Sequence, residues 1–193
     1  MARERKADIS RRATHTDLDR RVVIKTEDDL LDIIGGLSEP ALILILDSVQ
    51  DPHNLGACLR VADAAGAHAV VVPKDRAATL TPAVRQVASG AAEKITFVQV
   101  TNLAGALERL KEVGLWIVGT ADAATQSIYD IDFITPTALV MGSEGKGLRK
   151  LVAEKCDFLV SIPMLGSVEC LNVSVAAGVC LFEAVRQRLK PSL

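Results

Sequence analysis

Aromatic side chains are scarce in this 193-residue chain, which has one Trp, one Tyr and four Phe. Unpaired RNA bases are commonly read by stacking on aromatic rings, so no stacking code for a particular nucleotide is written here. Histidine is scarcer still. His15, His53 and His68 are scattered and stand at no metal-ligand spacing from a cysteine, so no metal is expected. Cys58, Cys156, Cys170 and Cys180 form no C-x-x-C pair, and a chain of this length needs no disulfide framework, so reduced thiols in a cytoplasmic protein are expected. No apolar run reaches membrane-spanning length, and the charged opening residues do not resemble a signal peptide. A soluble protein with no membrane partner follows. Neither sign of charge dominates, the formal net charge being −2.

That small total hides an asymmetry. Residues 1–25 carry eight Lys/Arg against four Asp/Glu, leaving a balance of −6 on the rest. They lack hydrophobic periodicity and read as a basic arm or linker, which could approach phosphates or remain a solvated tail. Residues 26–193 read as one domain. With 49% of residues hydrophobic, it can bury a full core.

From Ala41 onward, short apolar β-branched runs alternate with helical stretches. The strands are 41–49, 69–73, 95–100, 115–120, 137–142 and 158–164; the helices are 54–65, 80–91, 102–113, 147–156 and 172–189. Thr26 and Asp29 predict a further helix start, stopped at Gly35-Gly36. Strands that are apolar without alternation belong to a sheet covered on both faces. The fold class is therefore α/β, a mostly parallel sheet with helices on both faces. Ligands of such sheets bind beyond the carboxyl ends of the strands.

Three of those ends are unusually polar. In DSVQDPHNLGACLR (47–60), Asn54 occupies an expected helix N-cap, and Gly56 and Arg60 lie four apart on one helix face, where the glycine would leave room for a substrate backbone. In VMGSEGKGLR (140–149), three glycines permit close backbone approach to a ligand. The segment matches neither the phosphate-cradling P-loop nor the dinucleotide G-x-G-x-x-G, and Glu144 in its middle would repel phosphate. In SIPMLGSVECLNVSVAAG (161–178), Asn172 opens a helix that is apolar on nearly every side as far as Phe182. Such a helix is buried, inside its own domain or between subunits.

In this order, the segments resemble the three motifs of the SpoU group of SPOUT methyltransferases: N-x-G-x-x-x-R at Asn54, Gly56 and Arg60, then VMGSEGxG from Val140, then SIPM…LNVSVA from Ser161. DPHNLGACLR, VPKDR (72–76) and CLFEAVRQR (180–188) are similar to the bacterial subgroup that methylates a guanosine 2′-hydroxyl of 23S rRNA. The resemblance implies a deep trefoil knot at the carboxyl terminus and a homodimer through the knot region, with an active site open to both subunits. It implies S-adenosyl-L-methionine as cofactor, contacted by Gly142, Ile162 and Leu171, with Thr120 and Met164 as further walls. It implies a catalytic group of Asn54, Arg60, Glu144 and Asn172. Cys170 stands where many relatives carry Ser. The nearest relatives also carry an N-terminal RNA-binding domain of the ribosomal-protein L30e type, where an arm stands here before Thr26.

A guanidinium is effectively never deprotonated in proteins, so Arg60 is expected to stay charged and stabilise a developing alkoxide. The proton would leave to a phosphate, to Glu144 or to water. Three rival readings stand beside this one: a tRNA guanosine 2′-O-methyltransferase, a catalytically silent RNA-binding module of the same fold, and a nicotinamide oxidoreductase. The last lacks the fingerprint glycines.

Overall fold

A computed structural model describes residues 23–143 and 145–189. Seven strands form one parallel sheet: β1 (Leu42–Leu46), β2 (Ala69–Pro73), β3 (Thr96–Val100), β4 (Trp116–Thr120), β5 (Gln126–Ser127), β6 (Thr137–Met141) and β7 (Phe158–Ser161). Their spatial order is β3-β2-β1-β6-β4-β7-β5. Six α-helices accompany them: α1 (Glu27–Gly35), α2 (Pro52–Ala64), α3 (Pro82–Ala88), α4 (Leu103–Glu112), α5 (Lys150–Lys155) and α6 (Val173–Arg188).

Every residue of β1, β2 and β6 is buried, as the unbroken apolar runs required. Side chains of a strand alternate between faces, and the core divides accordingly. Leu42, Leu44, Leu46, Leu139 and Met141 join one apolar cluster, with side chains from α2, α3 and α6. Ile43, Ile45, Ala138 and Val140 join the other, with α1, α4 and α5. The chain runs outward from β1 to β3 and then crosses to the opposite side of β1. β6 fits between β1 and β4. This reversal puts the carboxyl ends of β1, β6, β4 and β7 side by side, where a crevice opens.

Local signals explain most boundaries. Thr26 and Asp29 form a reciprocal capping box at α1. Asn102 caps α4, and Gly114, at φ 90°, follows its end. Two expectations need correction. The arm does not run loose as far as residue 25, because Lys25 pairs with β3, donating to the Phe97 carbonyl (2.8 Å) and accepting from the Gln99 amide (3.0 Å). Residues 1–22 lie outside the described residues. Nor is Asn54 an N-cap. Asp51 caps α2, accepting from the His53 amide, and Pro52 opens the first turn, where a missing N–H costs nothing.

The carboxyl end of α6 is fastened to the sheet. The Arg188 guanidinium donates to the carbonyls of Phe133, Pro40, Ala41 and Thr135 at 2.8–3.1 Å. Gln187 donates to the Ile131 carbonyl and accepts from the Phe133 amide, both at 2.9 Å. On α6, Ala177, Cys180, Leu181 and Ala184 are fully buried, while Val175 and Phe182 remain about half exposed.

Candidate active site

The site begins with a buried charge. Asp47 follows the last residue of β1 and is 0% exposed. A carboxylate there requires partners, and it has three. The Arg149 amide and Nε donate to it at 2.8 and 2.6 Å, and the Ser48 hydroxyl at 3.2 Å. These bonds carry the glycine-rich segment after β6 back onto the end of β1.

That segment also closes on itself. The Ser143 amide donates to the Gly147 carbonyl (3.2 Å), and the Gly147 amide to the Ser143 carbonyl (2.9 Å). Gly145 and Gly147 take positive φ, 74° and 62°. Gly142 is needed for space instead. A Cβ there would meet the Gly147 carbonyl carbon and lie 2.5 Å from both the Gly147 oxygen and the Leu148 nitrogen. No side chain fits. Glu144, the carboxylate expected in this loop, lies outside the described residues.

A cleft of about 120 Å³ opens between this loop and the 161–173 segment. Thr120, Gly142, Ile162, Met164 and Leu171 all line it, so the structure brings together five residues from three separated parts of the chain. The Thr120 hydroxyl donates to the Val140 carbonyl at 3.4 Å, tying the ends of β4 and β6. Asp122, Glu169 and Cys170 also face the cleft.

A second cavity, of about 450 Å³, shares Ser143, Gly147 and Val173 with the first. Asn54 lines it, as do Ser48, Gln50, Arg76, Lys146 and Arg149. Asn54 is joined to Asn172, whose Nδ2 donates to its Oδ1 at 2.9 Å. Asn172 caps α6 and accepts from the amide and hydroxyl of Ser174. Two of the four expected catalytic residues therefore meet directly.

Arg60 does not join them. It is exposed on α2 and lines neither cavity. Gly56 also departs from expectation. It is buried against α3, where a Cβ would lie 2.7 Å from the Val84 carbonyl and the Val87 side chain, so it serves helix packing and not substrate approach. Sequence reasoning passed over Asp47, Arg76, Lys146 and Arg149. The available signal was Asp47 itself, a carboxylate placed directly after five apolar strand residues.

The sequence pattern of the SpoU rRNA Methylase family matches residues 41–182. The chain belongs to this family. It is 60% identical over 181 residues to the 23S rRNA (guanosine-2′-O-)-methyltransferase RlmB of Ralstonia nicotianae, covering 90% of this chain and 72% of that protein. The RlmB of Escherichia coli strain K12 is 59% identical over 162 residues, covering 84% of this chain and 66% of its own length. Among solved structures, the SpoU methyltransferase AviRb from Streptomyces viridochromogenes, in complex with AdoMet, superposes with a TM-score of 0.75 at 35% identity. That match covers 84% of this chain and 65% of AviRb. The chain thus spans roughly two thirds of the length of these SpoU relatives. Among the described residues, no group of three His, Cys, Asp or Glu could hold a metal, and no helix is long and apolar enough to cross a membrane.

Proposed function

We propose that this chain transfers a methyl group from S-adenosyl-L-methionine to the ribose 2′-hydroxyl of a guanosine in 23S rRNA, working in the cytoplasm where that RNA is assembled. The observation that carries the reading is the convergence of Thr120, Gly142, Ile162, Met164 and Leu171 on one cleft, beside a larger cavity that holds Asn54. The cleft suits a nucleoside cofactor because its walls offer backbone groups and apolar side chains, with a glycine where no Cβ fits. Those five residues would hold the cofactor, which supplies a sulfonium-activated methyl group when bound. Ligand pockets commonly measure roughly 300–1,000 Å³. At about 120 Å³, this cleft must widen on binding, and the exposed loop containing Leu165 is the wall able to move.

Within this reading, Asn54 and Asn172 position the ribose, and holding both reactants in line accounts for much of the rate. Arg60 stays charged, stabilises the developing alkoxide and clamps a phosphate. The proton leaves to that phosphate, to Glu144 or to water. Because Arg60 lines neither cavity of its own chain, the reading includes a homodimer in which Arg60 of the partner subunit completes the site. Val175 and Phe182, half exposed on α6, supply an apolar face for that contact. The reading also includes a knotted carboxyl terminus, supported by family membership and by the meeting of loops 142–147 and 161–173 at one cleft.

The test is methyl transfer from radiolabelled S-adenosyl-L-methionine to 23S rRNA and, separately, to tRNA, with the modified position mapped. A single guanosine 2′-O-methyl in 23S rRNA is expected. Cofactor binding without transfer to any RNA would leave the silent RNA-binding module instead. Replacing Arg60 by Lys tests the proton step. If the variant keeps most of the rate, with a pH profile following a lysine titration, this side chain is the base and the charged-clamp role fails.

A further inference from the structure

We infer that the 450 Å³ cavity contains a subsite for an RNA phosphodiester, formed by Arg149 and Arg76, with Asp47 as the positioning residue that aims Arg149. This inference rests on the methyltransfer reading, and it names the part of the substrate that the second cavity grips.

Arg149 is divided between two tasks. Its amide and Nε are committed to the buried Asp47 carboxylate. Among the described residues its two terminal nitrogens have no hydrogen-bond partner, and the side chain is 39% exposed in a cavity wall. A guanidinium held by one edge presents the other as a planar fork, which matches phosphate oxygens. The geometry is set before any ligand arrives, so little rotamer freedom remains to be lost on binding.

The backbone of the same cavity is strained. Ser48 and Arg76 adopt left-handed conformations, φ 67° and 63°, although neither is glycine. Such conformations are costly for residues that carry a Cβ, and they gather at ligand sites. Of the three non-glycine residues with positive φ among the described residues, two line this cavity. The Ala78 amide donates to the Val49 carbonyl at 2.9 Å, holding the segment that carries Arg76 against the end of β1. Arg76 and Lys146 form no ion pair among the described residues. Among the described residues, Arg76, Lys146 and Arg149 line the cavity with one carboxylate, Asp51, which caps α2, while Asp47 meets part of the Arg149 charge from behind the wall. Arg76 and Lys146 add positive charge that suits an anion. Asn54 on the same wall puts that anion next to the nucleotide whose ribose the asparagine pair would hold.

The test is equilibrium binding of a 23S rRNA transcript across a salt series, with cofactor affinity measured in parallel. Arg76→Ala and Arg149→Ala are each expected to weaken RNA binding about tenfold and to lower the salt slope by about one unit, with cofactor affinity unchanged. Asp47→Asn should match Arg149→Ala in RNA affinity, and combining the two should add little further loss. Transcript affinity and salt slope unchanged in Arg76→Ala and Arg149→Ala would overturn the subsite. So would an equal loss of cofactor affinity in both variants. An Asp47→Asn protein that melts earlier yet binds RNA normally would overturn the positioning role. The methyltransfer reading fails on a different measurement, absence of transfer by the unaltered protein, so the two failures are separable.

Discussion

The two walls of the cleft are built in opposite ways. The 142–149 wall is closed by a pair of backbone bonds, pinned to β1 through Asp47 and crossed so tightly at Gly142 that no side chain can enter. On the 161–173 wall, residues 163–171 make no hydrogen bond among the described residues, and Leu165 is 98% exposed. The lesson is a division of labour. In the proposed function, the first wall fixes the geometry of the reacting groups and the second yields to let the ligand in.

The largest effect that breaks this comparison comes from Gly142→Ala. Its Cβ has backbone atoms in its way, so cofactor affinity should fall at least a hundredfold by calorimetry. Gly166→Ala, on the yielding wall with nothing within 4 Å, should change it less than twofold. If both behave alike, the walls do not differ as described. Asp47→Ala is next. Loss of the anchor leaves the Arg149 amide unmet and should destabilise the fold by roughly 2–4 kcal/mol in denaturant titration. Hydrogen exchange in that variant should accelerate first at 143–149.

The yielding wall can be tested chemically. Cys170 is exposed and faces the cleft. Burial pushes the Cys156 and Cys180 thiols up to about 12, so they stay protonated and unreactive near neutrality. Alkylation should therefore fall on Cys170 and slow several-fold with S-adenosyl-L-methionine, followed by peptide mass. The smallest effect lies outside both walls. The ordinary thiol value here is 9.0, and Cys180 is raised by burial. Below pH 9 the thiol is protonated in both folded and unfolded chains, so its contribution is fully present. Between pH 9 and about 12 only the unfolded chain ionises, and stability falls. Cys180→Ala should flatten that alkaline decline in melting temperature.

The sheet was legible because strands buried on both faces must be apolar throughout, and β1, β2 and β6 are. β5 escaped notice because two residues carry no periodicity. The N-cap of α2 was misplaced by three residues because Asn54 is a good capping type, whereas the Asp51-Pro52 pair beside it satisfies both the cap and the first turn. The five cleft residues were reached through motif resemblance, and their convergence depends on strand order, which no single segment encodes. Arg60 illustrates the limit. Its motif placed it in the catalytic group, yet its own chain directs it to solvent. Ser48 and Arg76 gave no warning of positive φ because that conformation ordinarily announces itself through Gly or Asn.

The cleft between the two walls is where the cofactor is expected to bind. Hydrogen exchange with and without S-adenosyl-L-methionine tests this directly. Protection concentrated at 120–122, 142–147 and 161–172, strongest in 163–171, is the predicted result. No protection at these segments, or protection centred on the exposed side of α2, would contradict it.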